Sequence, residues 1–160
     1  MKPPPFDYVC ATSLEEAVSA LAGDEDAKVL GGGQSLVPLL NLRLARPTVL
    51  VDIARLGLDE VTVDGGMLRV GAMARQRRLE VDPLVAAAVP LLSDAVAQVG
   101  YPATRNWGTI GGSLAHADPA AELPAVAVAL GASLLATGPT GSRRLDCANL
   151  ADGFFTTTLA

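Results

Sequence analysis

The sequence predicts an α+β fold in two lobes: a small α/β lobe over residues 1–55, and a larger lobe of antiparallel strands with helices over residues 56–160. Three observations predict it. Residues up to about 55 alternate strand and helix patterns around the triple glycine Gly31-Gly32-Gly33. Asp64-Gly65-Gly66 then separates two short apolar runs, a strong hairpin signal. Beyond it, helical stretches are inserted between antiparallel strands, the pattern of an α+β lobe. Half of the 160 residues are apolar, enough to bury a core without disulfides or a structural metal. Aromatic residues make up only 4 %, so that core must be built mainly from Ala, Val and Leu.

Phe6-Asp7-Tyr8-Val9 alternates as a strand does. Ser13 has the character of an N-cap, with Glu16 completing a capping box and Leu14, Ala17, Val18 and Leu21 forming one helical face that Gly23 ends. Lys28-Val29-Leu30 is a second strand running into the glycines. Ser35 is expected to cap a short helix carrying Leu36, Leu39, Leu40 and Leu44, with Pro38 in its first turn, where a missing N–H costs little. Thr48 to Ile53 is a β-branched third strand. In the second lobe, Glu60–Val63 and Met67–Gly71 form the hairpin. Leu84–Val89, Leu91–Val99 and Pro119–Leu130 read as helices, and Ser133–Thr137 and Arg143–Asp146 as strands joined by Gly138-Pro139-Thr140-Gly141.

Composition narrows the function. The net charge is −5, and the densest basic run, Arg75-Gln76-Arg77-Arg78, is short and reads as a solvated face. Nucleic-acid binding, which needs grouped cations, is not expected. The longest apolar stretch, Leu123 to Ala136, is interrupted by Pro124 and Gly131 and falls short of the roughly 18–20 residues that cross a bilayer. Met1-Lys2-Pro3-Pro4-Pro5 lacks the apolar core of a signal peptide. Cys10 and Cys147 are isolated, which supports neither a disulfide framework nor a zinc or iron–sulfur site. A soluble cytoplasmic protein is expected.

Two glycine-rich segments carry the chemistry. Gly31-Gly32-Gly33-Gln34-Ser35 leaves backbone N–H groups uncovered by side chains, and such groups can converge on an anion with help from a following helix N-terminus. A tight strand-to-helix turn needing positive φ is the alternative. The spacing matches neither the Rossmann fingerprint nor a P-loop, which would carry a Lys. Thr109-Ile110-Gly111-Gly112-Ser113 again sets paired glycines beside hydroxyls. Together the two segments could grip the phosphates of a dinucleotide from both sides. In His116-Ala117-Asp118-Pro119-Ala120-Ala121-Glu122, a carboxylate could accept from a ribose diol. Alternatively, Asp118 caps a helix starting at Pro119 and Glu122 complements its dipole. His116 is the only histidine; no nucleophile, orienting acid or metal set accompanies it, so a structural or ligand-proximal place is expected. Tyr101 and Trp107 could border a ring system or be ordinary core or rim.

Leu30 to Pro38 with Leu42-Arg43-Leu44-Ala45-Arg46-Pro47, and Arg105 to Pro124, resemble the two FAD motifs of the medium, flavoprotein subunits of molybdenum hydroxylases of the carbon monoxide dehydrogenase and xanthine dehydrogenase type. The resemblance spans essentially the whole chain. It implies the two-lobed vanillyl-alcohol-oxidase-like FAD-binding fold, shortened at its C-terminus. It implies that Val29, Leu30, Gly31, Gly32, Gly33, Gln34, Ser35 and Leu36 line the FAD diphosphate. Thr109, Ile110, Gly111, Gly112 and Ser113 would form a second phosphate turn, Glu122 would face the adenosine ribose, and Gly100 would lie along the flavin channel. The family often has Asn or Asp at Ser113, and a smaller or basic residue at Trp107. The implied role is electron transfer: FAD accepts electrons from the clusters of a 2Fe-2S small subunit, fed by a molybdenum-cofactor large subunit, and passes them to an external acceptor. No catalytic side chain and no metal ligand is assigned. A self-standing flavin reductase on the same fold, or an assembly domain without FAD, are the alternatives.

Overall fold

A computed structural model describes residues 2–159; Met1 and Ala160, the outer ends of the two expected lobes, lie outside it. The first strands, β1 (Asp7–Cys10), β2 (Lys28–Leu30) and β3 (Val49–Asp52), form a parallel sheet in the order β1-β3-β2. Register pairs Tyr8 with Leu50 and Leu30 with Asp52. Helix α1 (Leu14–Ala22) follows β1, and α2 (Leu36–Asn41) follows the glycines. Ala17 of α1, Val51 of β3 and Ala11 are buried together, with Leu21, Ile53 and Leu56 packed around them.

The hairpin β4 (Val61–Asp64) and β5 (Met67–Val70) turns at Gly65 and Gly66, whose φ values of 57° and 78° suit the tight two-residue hairpin turn that few other residues tolerate. Helices α3 (Gln76–Val81), α4 (Pro83–Ala88), α5 (Pro90–Val96), α6 (Pro102–Trp107), α7 (Ile110–His116) and α8 (Glu122–Ala129) follow. Hairpins β6–β7 (Ser133–Gly138, Gly141–Asp146) and β8–β9 (Ala151–Gly153, Thr156–Thr157) complete the described chain. A second core gathers Val61, Ala74, Leu79, Val85, Leu92, Val96, Leu123 and Val126. Both cores consist of Ala, Val, Leu and Ile side chains, as a chain poor in aromatics requires.

Several local expectations need correction. The run Arg75–Arg78 is not simply a solvated face: it opens α3, Gln76 is 5 % exposed, and only Arg77 and Arg78 face outward. The Thr109 segment is not an open turn, because Ile110 onward is helical. Helix α8 starts at Glu122 rather than Pro119, with Ala121 at its N-cap; Asp118 instead accepts from the Ala120 N–H at 2.9 Å, closing a local turn. Ser35 is in the α region and makes no side-chain cap bond, and Leu44 lies beyond α2. Gly23 ends α1 with φ −79°, so no left-handed residue is used there. Among the described residues, no helix is long and apolar enough to cross a membrane.

Candidate cofactor-binding site

The C-terminal end of β2 delivers the first glycine segment, and in a parallel sheet that is where loops gather around ligands. Among the described residues, the N–H groups of Gly31, Gly32, Gly33, Gln34, Ser35 and Leu36 donate to no protein acceptor. The first protein bond after them is Val37 N–H to the Gly33 carbonyl at 3.0 Å. Gly33 has φ 72°, the left-handed conformation that turns successive N–H groups toward one side. The Gln34 side-chain amide folds back to donate to the Gly32 carbonyl at 3.2 Å. Val29 is exposed and Leu30 half-buried at the sheet edge.

The second segment lies directly against the first. A Cβ on Gly32 would stand 2.2 Å from the Trp107 carbonyl oxygen and 2.9 Å from the Gly108 Cα. A Cβ on Gly31 would meet Thr109 Oγ1 at 3.4 Å and the Met73 sulfur at 3.7 Å. These contacts explain glycine at both positions: the two chain segments touch backbone to backbone. Gly108 in turn is backed by the buried Gln76, whose Oε1 has no hydrogen-bond partner among the described residues.

The two segments differ in the state of their donors. Ile110 N–H bonds to the Ala74 carbonyl at 3.2 Å, and Gly111 N–H to the Ala72 carbonyl at 2.9 Å. Thr109 is the N-cap of α7, its Oγ1 accepting from Gly112 N–H at 3.1 Å, while Ser113 N–H bonds to the Thr109 carbonyl at 3.1 Å. Thr109 to Ser113 therefore spend their N–H groups from Ile110 onward inside the protein, and Gly31 to Leu36 keep theirs free. Free donors of the kind that receive an anion thus lie on the first segment, and the second forms a wall beside them.

Around this wall the structure adds residues that the sequence reading missed. Arg105, 7 % exposed, makes a two-pronged ion pair with Glu80 (Nε–Oε2 2.8 Å, Nη2–Oε1 3.1 Å). Its Nη1 also donates to the carbonyls of Val99 (2.9 Å) and Gly100 (3.2 Å). The pair holds the loop at Gly100, where φ is 42°, onto α3 and α6. The Arg105 guanidinium holds the Glu80 carboxyl below the usual carboxylate range, against the opposing effect of burial. Arg75 donates from Nη1 to the Trp107 carbonyl, and its guanidinium lies 5.5 Å from the centre of the Trp107 ring. A one-residue change of environment within Arg75-Gln76-Arg77-Arg78 leaves no periodic signal, so only tertiary placement reveals these roles.

Of the other expected site residues, Glu122 is the half-buried first residue of α8 and makes no hydrogen bond to either glycine segment among the described residues. Gly100 and Gly112 are exposed; Ile110, Gly111 and Ser113 are half-buried. His116 ends α7 against the Phe155 ring, with centroids 5.1 Å apart, a packing role. Tyr101 and Trp107 are 80 % and 62 % exposed, so both are rim rather than core.

A glycine segment with free donors, walled by a second glycine segment at the end of a parallel sheet, is an arrangement suited to a diphosphate-bearing cofactor. Residues 4–160 match the family described as FAD binding domain in molybdopterin dehydrogenase, and the chain belongs to that family. It is 47 % identical over 161 residues to the 6-hydroxypseudooxynicotine dehydrogenase complex subunit alpha of Paenarthrobacter nicotinovorans, covering 99 % of this chain and 54 % of that protein. It is 41 % identical to the carbon monoxide dehydrogenase medium chain of Hydrogenophaga pseudoflava, covering 97 % of this chain and 53 % of that one. Among solved structures, quinoline 2-oxidoreductase from Pseudomonas putida 86 superposes with a TM-score of 0.97 at 43 % identity, covering all of this chain and 56 % of that one. The α+β FAD-binding fold is thereby shown. The chain spans about half the length of the curated relatives it matches.

Proposed function

We propose that this chain holds FAD by its diphosphate on Gly31–Leu36, as the flavin-carrying part of a molybdenum hydroxylase medium subunit. The observation that carries this reading is the run of free N–H groups from Gly31 to Leu36, pressed against Trp107–Thr109. Val29 and Leu30 flank the seat, and Thr109, Ile110, Gly111, Gly112 and Ser113 close it from the opposite side. Glu122 serves the adenosine ribose and Gly100 borders the flavin. Two lobes, 1–55 and 56–160, meet at this seat, a division supported by the two separate apolar clusters. When bound, FAD supplies the redox chemistry, and the chain's own residues bind it, orient it and exclude water. In the assembled enzyme, electrons reach FAD from the iron–sulfur clusters of a small subunit and leave to an external acceptor, while a molybdenum subunit handles the substrate. The names of the relatives, dehydrogenase subunits and medium chains, support this assembly.

The test is FAD uptake by the purified 160-residue chain. Stoichiometric uptake, with the two absorbance bands of oxidised flavin retained through gel filtration, is the expected result. A chain that takes up no FAD from excess cofactor, while folded by circular dichroism, would overturn the reading.

A further inference from the structure

A run of N–H groups offers only partial charges, and neither Gly31–Leu36 nor Thr109–Ser113 contains a Lys or Arg. A diphosphate is favoured further by a cation that other groups do not already neutralise. Of the run Arg75–Arg78, Arg77 pairs with Glu80 at 2.9 Å, and Arg78 pairs with Asp82 at 3.6 Å while donating to the Asp59 carbonyl. Arg75 pairs with no carboxylate among the described residues. Its hydrogen bond goes instead to the Trp107 carbonyl, the same oxygen that a Gly32 Cβ would strike. Its backbone bridges Thr109, and Thr109 and Met73 are the side chains that a Cβ on Gly31 would meet. Arg75 is thus tethered on both sides to the atoms that border the free donors. It is half-buried, and a guanidinium keeps further N–H donors after making one bond.

We propose that Arg75 is the cation of the diphosphate seat, its guanidinium held by the Trp107 carbonyl and ring so that its remaining N–H groups meet the phosphate oxygens. The inference rests on the FAD reading above. It assigns to Arg75 a contact distinct from the backbone cradle, with a planar fork suited to phosphate. Trp107 acts as the positioning residue, because its carbonyl and its ring both engage the same guanidinium.

The test is FAD affinity of the wild-type chain and the Arg75→Met and Arg75→Lys variants, read by flavin fluorescence polarisation at low and high salt, with ADP as competitor. Arg75→Met keeps the stem over Trp107 and removes the charge. It is expected to bind FAD about 10- to 100-fold more weakly, with a flatter salt dependence and a parallel loss for ADP. Arg75→Lys should recover part of the affinity and most of the salt dependence. If Arg75→Met binds FAD and ADP as the wild type does, with the same salt dependence, the inference fails while the FAD reading stands. If Arg75→Met does not fold, Arg75→Gln takes its place: weaker FAD and ADP binding with a flatter salt dependence supports the cation, and wild-type affinity with the wild-type salt slope overturns it. If the wild type takes up no FAD, the cofactor reading itself fails, and this inference with it.

Discussion

At Gly32 and Gly112 the same added methyl group would meet different resistance. At Gly32 it faces a backbone carbonyl at 2.2 Å, and backbone cannot swing aside. Gly32→Ala must therefore separate the two glycine segments, with an expected cost of about 2–3 kcal/mol and loss of FAD retention, read by thermal melting and flavin content. At Gly112 the close atom outside the helix backbone, among the described residues, is Thr109 Oγ1, at 2.8 Å. Gly112→Ala should disturb only that cap, for about 1 kcal/mol, whereas Gly112→Asp adds a carboxylate to the segment proposed to wall the diphosphate and should sharply weaken retention with a modest change in melting temperature. Equal flavin retention in Gly112→Asp and wild type would show that the second segment takes no part in the phosphate site. Glu80 supplies a pH prediction. Its carboxyl is held low by Arg105, so its stabilising contribution is present above the ordinary carboxylate range and disappears as pH falls through its lowered value. Glu80→Gln should cost about 3 kcal/mol near neutral pH, since it leaves the Arg105 charge buried and unpaired. The deficit should shrink on acidification, measured by denaturant unfolding at a series of pH values.

At the scale of elements, the legible parts are those whose signals are local. Ser13 caps α1 as its spacing predicts, its Oγ accepting from Glu16 N–H at 3.1 Å, but Glu16 reaches back to the Thr12 N–H at 2.8 Å rather than completing the box on Ser13. Bonding to Thr12 holds the Glu16 carboxyl below its ordinary range. Ser13→Ala is expected to cost about 1 kcal/mol, and thermal melting should show it without any change in FAD uptake. The hairpin at Gly65-Gly66 and the strands Lys28–Leu30 and Ser133–Gly138 were equally legible, because turn chemistry and short apolar runs bounded by turn residues act within a few residues. Helices α3, α6 and α7 were not legible. Each is six or seven residues long, α3 and α6 carry few apolar residues to set a period, and the glycines of α7 argue locally against a helix. Packing decides instead: Gly111 lies against Ala72, where a Cβ would come within 2.7 Å, so glycine is what allows α7 to approach. The paired glycines that read as a phosphate turn are in large part a close-packing device.

For the whole molecule, the proposed seat joins parts of the chain far apart in sequence, Gly31–Leu36 on one side and Met73–Thr109 on the other, while the apolar clusters on the two sides are separate. That the two segments come together was legible from the paired motifs. That their donors are free on one side and spent on the other was not, because hydrogen-bond partners such as Ala72 and Ala74 carry no sequence signal. A ligand seated across such a junction stabilises both sides at once, since unfolding either one releases it. With FAD at about one hundred times its dissociation constant, the native state should gain about 2.7 kcal/mol, raising the melting temperature by roughly 5–10 °C for a chain of this size. Differential scanning calorimetry should then show the separate clusters unfolding in a single sharper transition with FAD, and in a broader one without it. A cofactor held by Gly31–Leu36 alone would instead shift only an early part of the transition, and the later part would keep its cofactor-free midpoint.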